Sequence, residues 1–251
     1  VWWIMYQFFV EPQQIHVADK SVTITGNDVN HIKNVLRMKI GEEIAVSNGQ
    51  DGKEYRCGIR EYTEDAVLCE LRFIKEDGVE LPSKIYLFQG LPKADKMELI
   101  IQKAVELGVY QVIPVAMKRC VVKLDDKKAA SKLTRWQGIA EAAAKQSKRG
   151  IIPQITKVMT FAQALEYSRT AQVRLVPYEL AEGMDRTREI IEQIQPGQDI
   201  AVFIGPEGGF DEAEIGKVIE AGTQPITLGK RILRTETAGM TVLSILMYHL
   251  E

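Results

Sequence analysis

The residues best suited to chemistry lie in two glycine-bearing segments late in the chain. The first, FIGPEGGFDEAEI from Phe203 to Ile215, sets three glycines and a proline between an apolar run and an acidic, helix-like run. In open α/β sheets, ligands settle outside the carboxyl ends of strands, and GPEGGF stands at such an end with a helix opening behind it. The residues there do not suit a phosphate. No GxGxxG or Walker pattern is present, and Asp211, Glu212 and Glu214 would repel an anion at that helix N-terminus. Backbone groups freed by Gly205, Gly208 and Gly209 could instead bond a purine and ribose, and a nearby carboxylate would tolerate a cation. S-adenosylmethionine has those properties. An ordinary strand-to-helix turn, in which the glycines serve backbone geometry and the acids serve the helix dipole, would use the same residues.

The second segment, TLGKRILRTETAG from Thr227 to Gly239, also follows a strand and precedes a helix, and it supplies Lys230, Arg231 and Arg234. Two such loops after consecutive strands define one crevice with an acidic and neutral wall facing a basic one. LVPYE, residues 175–179, ends another strand and offers a third wall.

These loops need a parallel sheet to hold them. From Lys84 onward, apolar runs of strand length alternate with longer helical stretches, the pattern of a sheet covered by helices. Strands are expected at 85–91, 109–115, 172–178, 199–205 and 225–229. Helices are expected at 93–107, 128–148, 161–168, 186–194, 212–221 and 235–250. The last helix is apolar over too wide an arc to face water, so it packs in a core or against a second subunit. Residues 1–76 read differently, with short alternating strands at 43–48, 53–60 and 66–74 and one helix starting near Asn27 and stopping at Gly41. This is a small β-barrel carrying a helix. The polar EDGVELPS, 76–83, is the linker, so the expected domains are 1–76 and 84–251. Val1–Ile4 precede Met5, where a reading frame could open, and receive no role.

The chain has 251 residues, 45% of them hydrophobic, and a net charge of −2. Such a composition describes a soluble, cytoplasmic globular protein without a membrane segment or a leader. Cys57, Cys69 and Cys120 are odd in number and widely spaced, which fits reduced thiols rather than disulfides or a metal site. Charge is uneven along the chain. Lys118–Arg149 holds ten Lys or Arg against three acids, and Glu179–Glu220 holds eleven acids against three bases. The basic stretch suits a phosphate backbone, or is a solvated helix face.

GPEGGF followed by LGKRILRTETA, together with GLPKADKMELIIQKAVELGV, RCVVKLDDKK, RWQGIAEAAAKQSKR and HIKNVLRMKIGEEI, closely resembles the RsmE family of 16S ribosomal RNA uridine N3-methyltransferases, of the SPOUT class. The resemblance runs from about Met5 to Glu251 in the same order and spacing. It implies a PUA-like RNA-binding barrel followed by an α/β domain with a C-terminal trefoil knot, S-adenosylmethionine as cofactor, 16S rRNA in the small subunit as partner, and a homodimer. One departure is that Gln7 stands where the family has an arginine.

By this resemblance Leu175, Pro177, Tyr178, Ile204, Gly205, Pro206, Glu207, Gly208, Gly209, Leu228, Gly229, Ile232 and Leu233 would hold the cofactor. RNA would meet His31, Arg37, Arg119, Gln146, Ser147, Arg149, Lys230 and Arg231. Uridine N3 must lose its proton and the resulting anion must be held in line with the methyl group. Arg234 would stabilise that anion beside the uracil carbonyls. Glu236 would take the proton directly or through water, unless it is merely a favourable acid in the last helix's first turn. Glu207 is the competing carboxylate. Trp136 and Tyr178 could stack on a base or pack in the core. Two other functions remain in competition: ribose 2′-hydroxyl methylation, and RNA binding without catalysis.

Overall fold

The computed structural model describes residues 5–76, 78–181 and 183–251, so Val1–Ile4, one linker residue at 77 and residue 182 lie outside the described residues. By contacts the chain divides into two units. One runs up to Glu80 and includes Ala144–Ile152; the other comprises Leu81–Ala143 and Pro153–Glu251.

The first unit contains β1 (Gln7–Phe9), β2 (Ile15–His16), β3 (Ser21–Thr25), α1 (Asn27–Asn30), β4 (Glu43–Ser47), β5 (Glu54–Tyr62) and β6 (Ala66–Lys75). They form one sheet in the order β1-β4-β5-β6-β3-β2, antiparallel except where β1 joins β4. Alternation explains the strands: in SVTIT, Val22 and Ile24 enter the core while Thr25 faces out. The expected long helix is shorter and irregular. After α1 the chain widens into a π-turn over His31–Val35, with the Leu36 N–H donating to the His31 carbonyl at 2.9 Å. The extra residue turns Val35 out to 61% exposure and keeps Val29 and Ile32 buried.

Ala144–Ile152 joins this unit through Glu80. Its carboxylate accepts from Arg149 Nε at 3.1 Å and from the N–H groups of Gly150 and Ile151 at 3.0 and 3.2 Å. Gln7 Nε2 donates to the Arg149 carbonyl at 2.9 Å and to Ser47 Oγ at 3.0 Å. Gln7 therefore has a structural use inside this unit.

The second unit contains β7 (Ile85–Gly90), α2 (Lys96–Glu106), β8 (Gln111–Ala116), most of α3 (Asp126–Gln146), β9 (Gln154–Ile155), β10 (Met159–Thr160), α4 (Phe161–Ser168), β11 (Val173–Pro177), α5 (Met184–Glu192), β12 (Ile200–Ile204), α6 (Glu212–Glu220), β13 (Gln224–Ile226) and α7 (Thr235–Leu250). Its sheet runs β10-β8-β7-β12-β11-β13, with β9 also beside β8, and every pairing is parallel. The expected late strands and helices form within a few residues of their predicted bounds; β9 and β10, only two residues each, carry no readable periodicity. Continuous apolar runs such as IAVFI bury both faces of the central strands, and Phe88 stacks on Phe203 with ring centroids 4.6 Å apart. Trp136 is 3% exposed, which assigns its ring to the core. Burial pushes the thiols of Cys57 and Cys69 up to about 12, as expected of inert reduced cysteines. Among the described residues no helix is long and apolar enough to cross a membrane.

Candidate functional site

Parallel strands place their carboxyl ends together, and here β11, β12 and β13 end side by side at Pro177, Ile204 and Ile226. The segments that follow them, with the start of α7, enclose a crevice of about 710 Å³. In the turn after β12, the Gly209 N–H donates to the Pro206 carbonyl at 2.9 Å, and Gly209 takes φ +67°. A side chain would strain that conformation. Asp211 then caps α6, accepting from the Ala213 N–H at 3.2 Å, and Glu214 accepts from the Lys118 N–H at 2.8 Å. Two of the acids at this helix start are thus consumed in capping and in bracing the loop after β8.

The opposite wall is pinned by Thr187 of α5. Its Oγ1 accepts from the Thr227 N–H at 2.9 Å and donates to the Thr227 carbonyl at 3.2 Å. Beyond Gly229 the chain bends at Lys230 and Arg231 before reaching Arg234, which occupies the N-cap position of α7 at φ −66°, ψ 155°. A buried relay joins the walls: Gln89 Nε2 donates to Thr235 Oγ1 at 2.9 Å, and the Thr235 hydroxyl donates to the Gly205 carbonyl at 2.6 Å. Sequence reasoning missed both residues. The signal was a glutamine inside the apolar run IYLFQGL, because a polar side chain in a strand buried on both faces must find a partner.

Nearly all the residues expected at a cofactor line this crevice: Pro177, Tyr178, Ile204, Gly205, Pro206, Glu207, Gly208, Gly209, Leu228, Gly229, Ile232 and Leu233. Leu175 does not. It is fully buried inside β11, two residues short of the strand's end. Arg234, Lys230 and Arg231 line the crevice, and so does Arg119, whose guanidinium donates to the Gly208 carbonyl at 3.1 Å. Of the remaining RNA candidates, His31, Arg37 and Gln146 are exposed and Ser147 is half-buried, all in the first unit. Arg149 is 4% exposed, and its guanidinium is committed to Glu80, so it braces the fold rather than meeting solvent. Arg37 adopts φ +54°, an uncommon conformation for a side-chain-bearing residue.

Glu236 is not part of the crevice lining. Its Oε2 is buried without a hydrogen bond and lies 3.4 Å from the Lys96 ammonium, which sits 3.2 Å from Glu207 Oε1. Lys96, at the first position of α2, does line the crevice and went unnoticed in the sequence. The Glu207 carboxylate beside it raises Lys96 above its ordinary 10.5, so the ammonium stays charged. Both glycine loops leave their backbone open to the crevice. A Cβ built on Gly209 or Gly229 would meet nothing within 4 Å, which leaves open space along both loops for a ligand to approach the backbone. Among the described residues no cluster of His, Cys, Asp or Glu could hold a metal ion.

Residues 79–247 match the family model described as an RNA methyltransferase domain, and residues 24–72 match the one described as an RNA methyltransferase PUA domain. The chain is 40% identical to the ribosomal RNA small subunit methyltransferase E of Bacillus subtilis, covering 98% of each protein. It belongs to the ribosomal RNA small subunit methyltransferase E family. The Mesomycoplasma hyopneumoniae relative is 35% identical over 96% of this chain and 98% of its own. The Neisseria gonorrhoeae ribosomal RNA small subunit methyltransferase E, solved bound to S-adenosyl methionine, superimposes with a TM-score of 0.79 at 32% identity, covering 96% of this chain and 95% of that one. The barrel expected near the N-terminus is accordingly a PUA-like domain, and the sheet-bearing unit is the methyltransferase domain.

In this family member Glu207 gives the fold an expected dependence on acid. Partial burial pushes the Glu207 carboxyl up, but the backbone N–H groups of Lys93 and Glu207, with Lys96, more than reverse this and hold it below its ordinary 4.5. A carboxyl whose pKa is depressed on folding stabilises the fold above 4.5, and that stability is lost as pH falls through the lower folded value. The difference in urea midpoint between wild type and Glu207→Gln is therefore expected to hold constant above about pH 5.5 and to shrink on further acidification. A difference that grows toward acid would show that Glu207 is not held ionised by these partners.

Proposed function

We propose that this methyltransferase transfers the methyl group of S-adenosylmethionine to N3 of a uridine in the 16S rRNA of the small ribosomal subunit. The observation that carries this reading is that the glycine cradle and the Arg234 guanidinium open onto the same crevice. When bound, S-adenosylmethionine supplies a methyl carbon on a sulfonium, released as a neutral thioether once the carbon bonds to N3. The chain's own residues do the rest. Backbone groups of Gly205, Gly209 and Gly229 would hold the adenosine, with Tyr178 and Leu228 lining the same crevice. Arg234 donates to the uracil carbonyls, stabilising the electron pair left on N3 when its proton departs. Glu236 lies behind the lining residues, so the proton reaches it through a water.

The same reading extends to partners. His31, Arg37 and Gln146 of the PUA-containing unit, with Arg119, Lys230 and Arg231, take the RNA backbone. A homodimer forms on α7, where Tyr248 is 87% exposed beside Met240 and Ile245. The C-terminal chain follows the knotted path of the SPOUT class, and the protein works in the cytoplasm. The test incubates the protein and methyl-labelled S-adenosylmethionine with unmethylated small subunits, followed by nucleoside mass spectrometry. Label in N3-methyluridine supports the proposal. Label on a ribose 2′ oxygen, or RNA binding with no label, would overturn it in favour of one of its two competitors.

A further inference from the structure

A lysine at the start of a helix is poorly placed for stability. The N-terminal turn carries the positive end of the helix dipole, and a cation there is disfavoured. Lys96 nevertheless opens α2, next to Asp95 at the N-cap and after Ala94, which takes the left-handed φ of +53°. Such backbone strain persists where the surrounding structure determines it. What surrounds Lys96 is a pair of carboxylates from two other segments. Glu207 comes from the turn after β12 and Glu236 from the first turn of α7, and their oxygens lie 3.2 and 3.4 Å from its ammonium. Glu207 is also fastened to the loop preceding α2, its Oε1 accepting from the Lys93 N–H at 3.0 Å.

The three side chains are partly shielded, 29% exposed for Lys96, 26% for Glu207 and 15% for Glu236. Glu236 depends on the arrangement most. Its Oε2 is buried, it has no hydrogen bond, and Lys96 is the cation beside it. An acid so placed is costly unless a charge accompanies it. Glu236 sits two residues after Arg234, whose position at the helix cap aims it into the crevice.

We propose that Lys96 is a positioning residue for methyl transfer, clasping Glu207 and Glu236 so that the turn after β12 and the start of α7 keep a fixed separation across the crevice. Its role in the reaction rests on the function proposed above, and it acts through Glu236 rather than on the substrate. Removing the ammonium frees the first turn of α7, so Arg234 and Glu236 lose their aim while the glycine cradle keeps its backbone geometry.

Hydrogen exchange on the free protein tests the clasp without reference to activity. In Lys96→Met, the peptide covering 232–238 is expected to exchange at least threefold faster than in wild type while the peptide covering 203–211, still fastened by the Glu207 bond to the Lys93 N–H, changes little. Lys96→Arg is expected to restore most of the protection. Unchanged exchange in Lys96→Met would overturn the proposal whatever the enzyme's reaction. If Lys96→Met does not fold, Lys96→Gln, which keeps a donor without the charge, is read in the same way.

Single-turnover methylation then tests its use. Lys96→Met is expected to lose about tenfold to 100-fold in rate, with S-adenosylmethionine affinity changed less than about threefold. Combined with Glu236→Gln it is expected to be no slower than the slower single variant. Losses that multiply would place Lys96 on the substrate itself and refute a positioning role. A wild type that methylates no uridine N3 but shows the exchange response would retain the clasp and discard the reaction assigned above.

Discussion

Arg234→Ala is expected to lower the single-turnover rate of uridine methylation by about 100-fold to 1,000-fold, the usual loss when one donor to a developing anion is removed. The side chain is exposed, belongs to none of the described ion pairs, makes no capping hydrogen bond and lines the crevice. Its charge is therefore available for a ligand. Because little of the fold leans on it, the variant should unfold within about 0.5 kcal/mol of wild type. Binding of S-adenosylmethionine, followed by calorimetry, should change by less than about threefold. Arg234→Lys separates charge from geometry: an ammonium keeps the charge but cannot present two parallel donors to a uracil edge. Partial recovery is expected from it. An alanine variant as fast as wild type would show that the anion is held by another group.

Gly90→Ala has the second largest expected effect, and it acts through a single methyl group. Gly90 ends β7 where the chain after β12 crosses it, and a Cβ there would stand 2.7 Å from both the ring Cδ and the backbone nitrogen of Pro206, and 3.0 Å from Met117 Sδ. Backbone and a proline ring cannot rotate aside as a flexible side chain would. The turn that carries Glu207, Gly208 and Gly209 must shift, at a cost of about 1–3 kcal/mol in stability. A melting midpoint lower by roughly 4 °C is expected for a chain of this size. The displaced turn is a wall of the crevice, so the dissociation constant for S-adenosylmethionine should rise at least tenfold, about 1.4 kcal/mol. Gly138→Ala in α3 is the control, since a Cβ there meets nothing within 4 Å and alanine is the better helix former. Equal cofactor binding by Gly90→Ala and wild type would mean that the strand-end contact does not set the crevice.

The residues that line the crevice were readable for a simple reason. They sit in loops immediately after strands, and a parallel sheet brings such loops together wherever its strands lie side by side. GPEGGF and LGKRILR therefore converge without any knowledge of side-chain packing. Leu175 lies two residues short of its strand's end and is buried in the sheet rather than lining the crevice, because only a short strand's last residues reach the edge. Arg149 was misjudged because a charge-rich segment reads as a basic face. Glu80, sixty-nine residues earlier, is what turns its guanidinium inward.

Lys96 and Gln89 show the limit from the other side. Neither has a neighbour in sequence that reveals its use, since Lys96 meets Glu207 and Glu236, and Gln89 meets Thr235. The sequence by itself determined the change from short alternating strands to an alternating β/α order, the two glycine loops and the charge of their walls, because these depend on local periodicity and on residue types at fixed spacing, while the PUA-like and methyltransferase assignments came from family resemblance. Only the tertiary structure decided which charges face the crevice and which are spent holding it. That choice depends on which side chains meet across distant strand ends, where a buried polar group must find its partner from whatever segment the sheet has placed beside it.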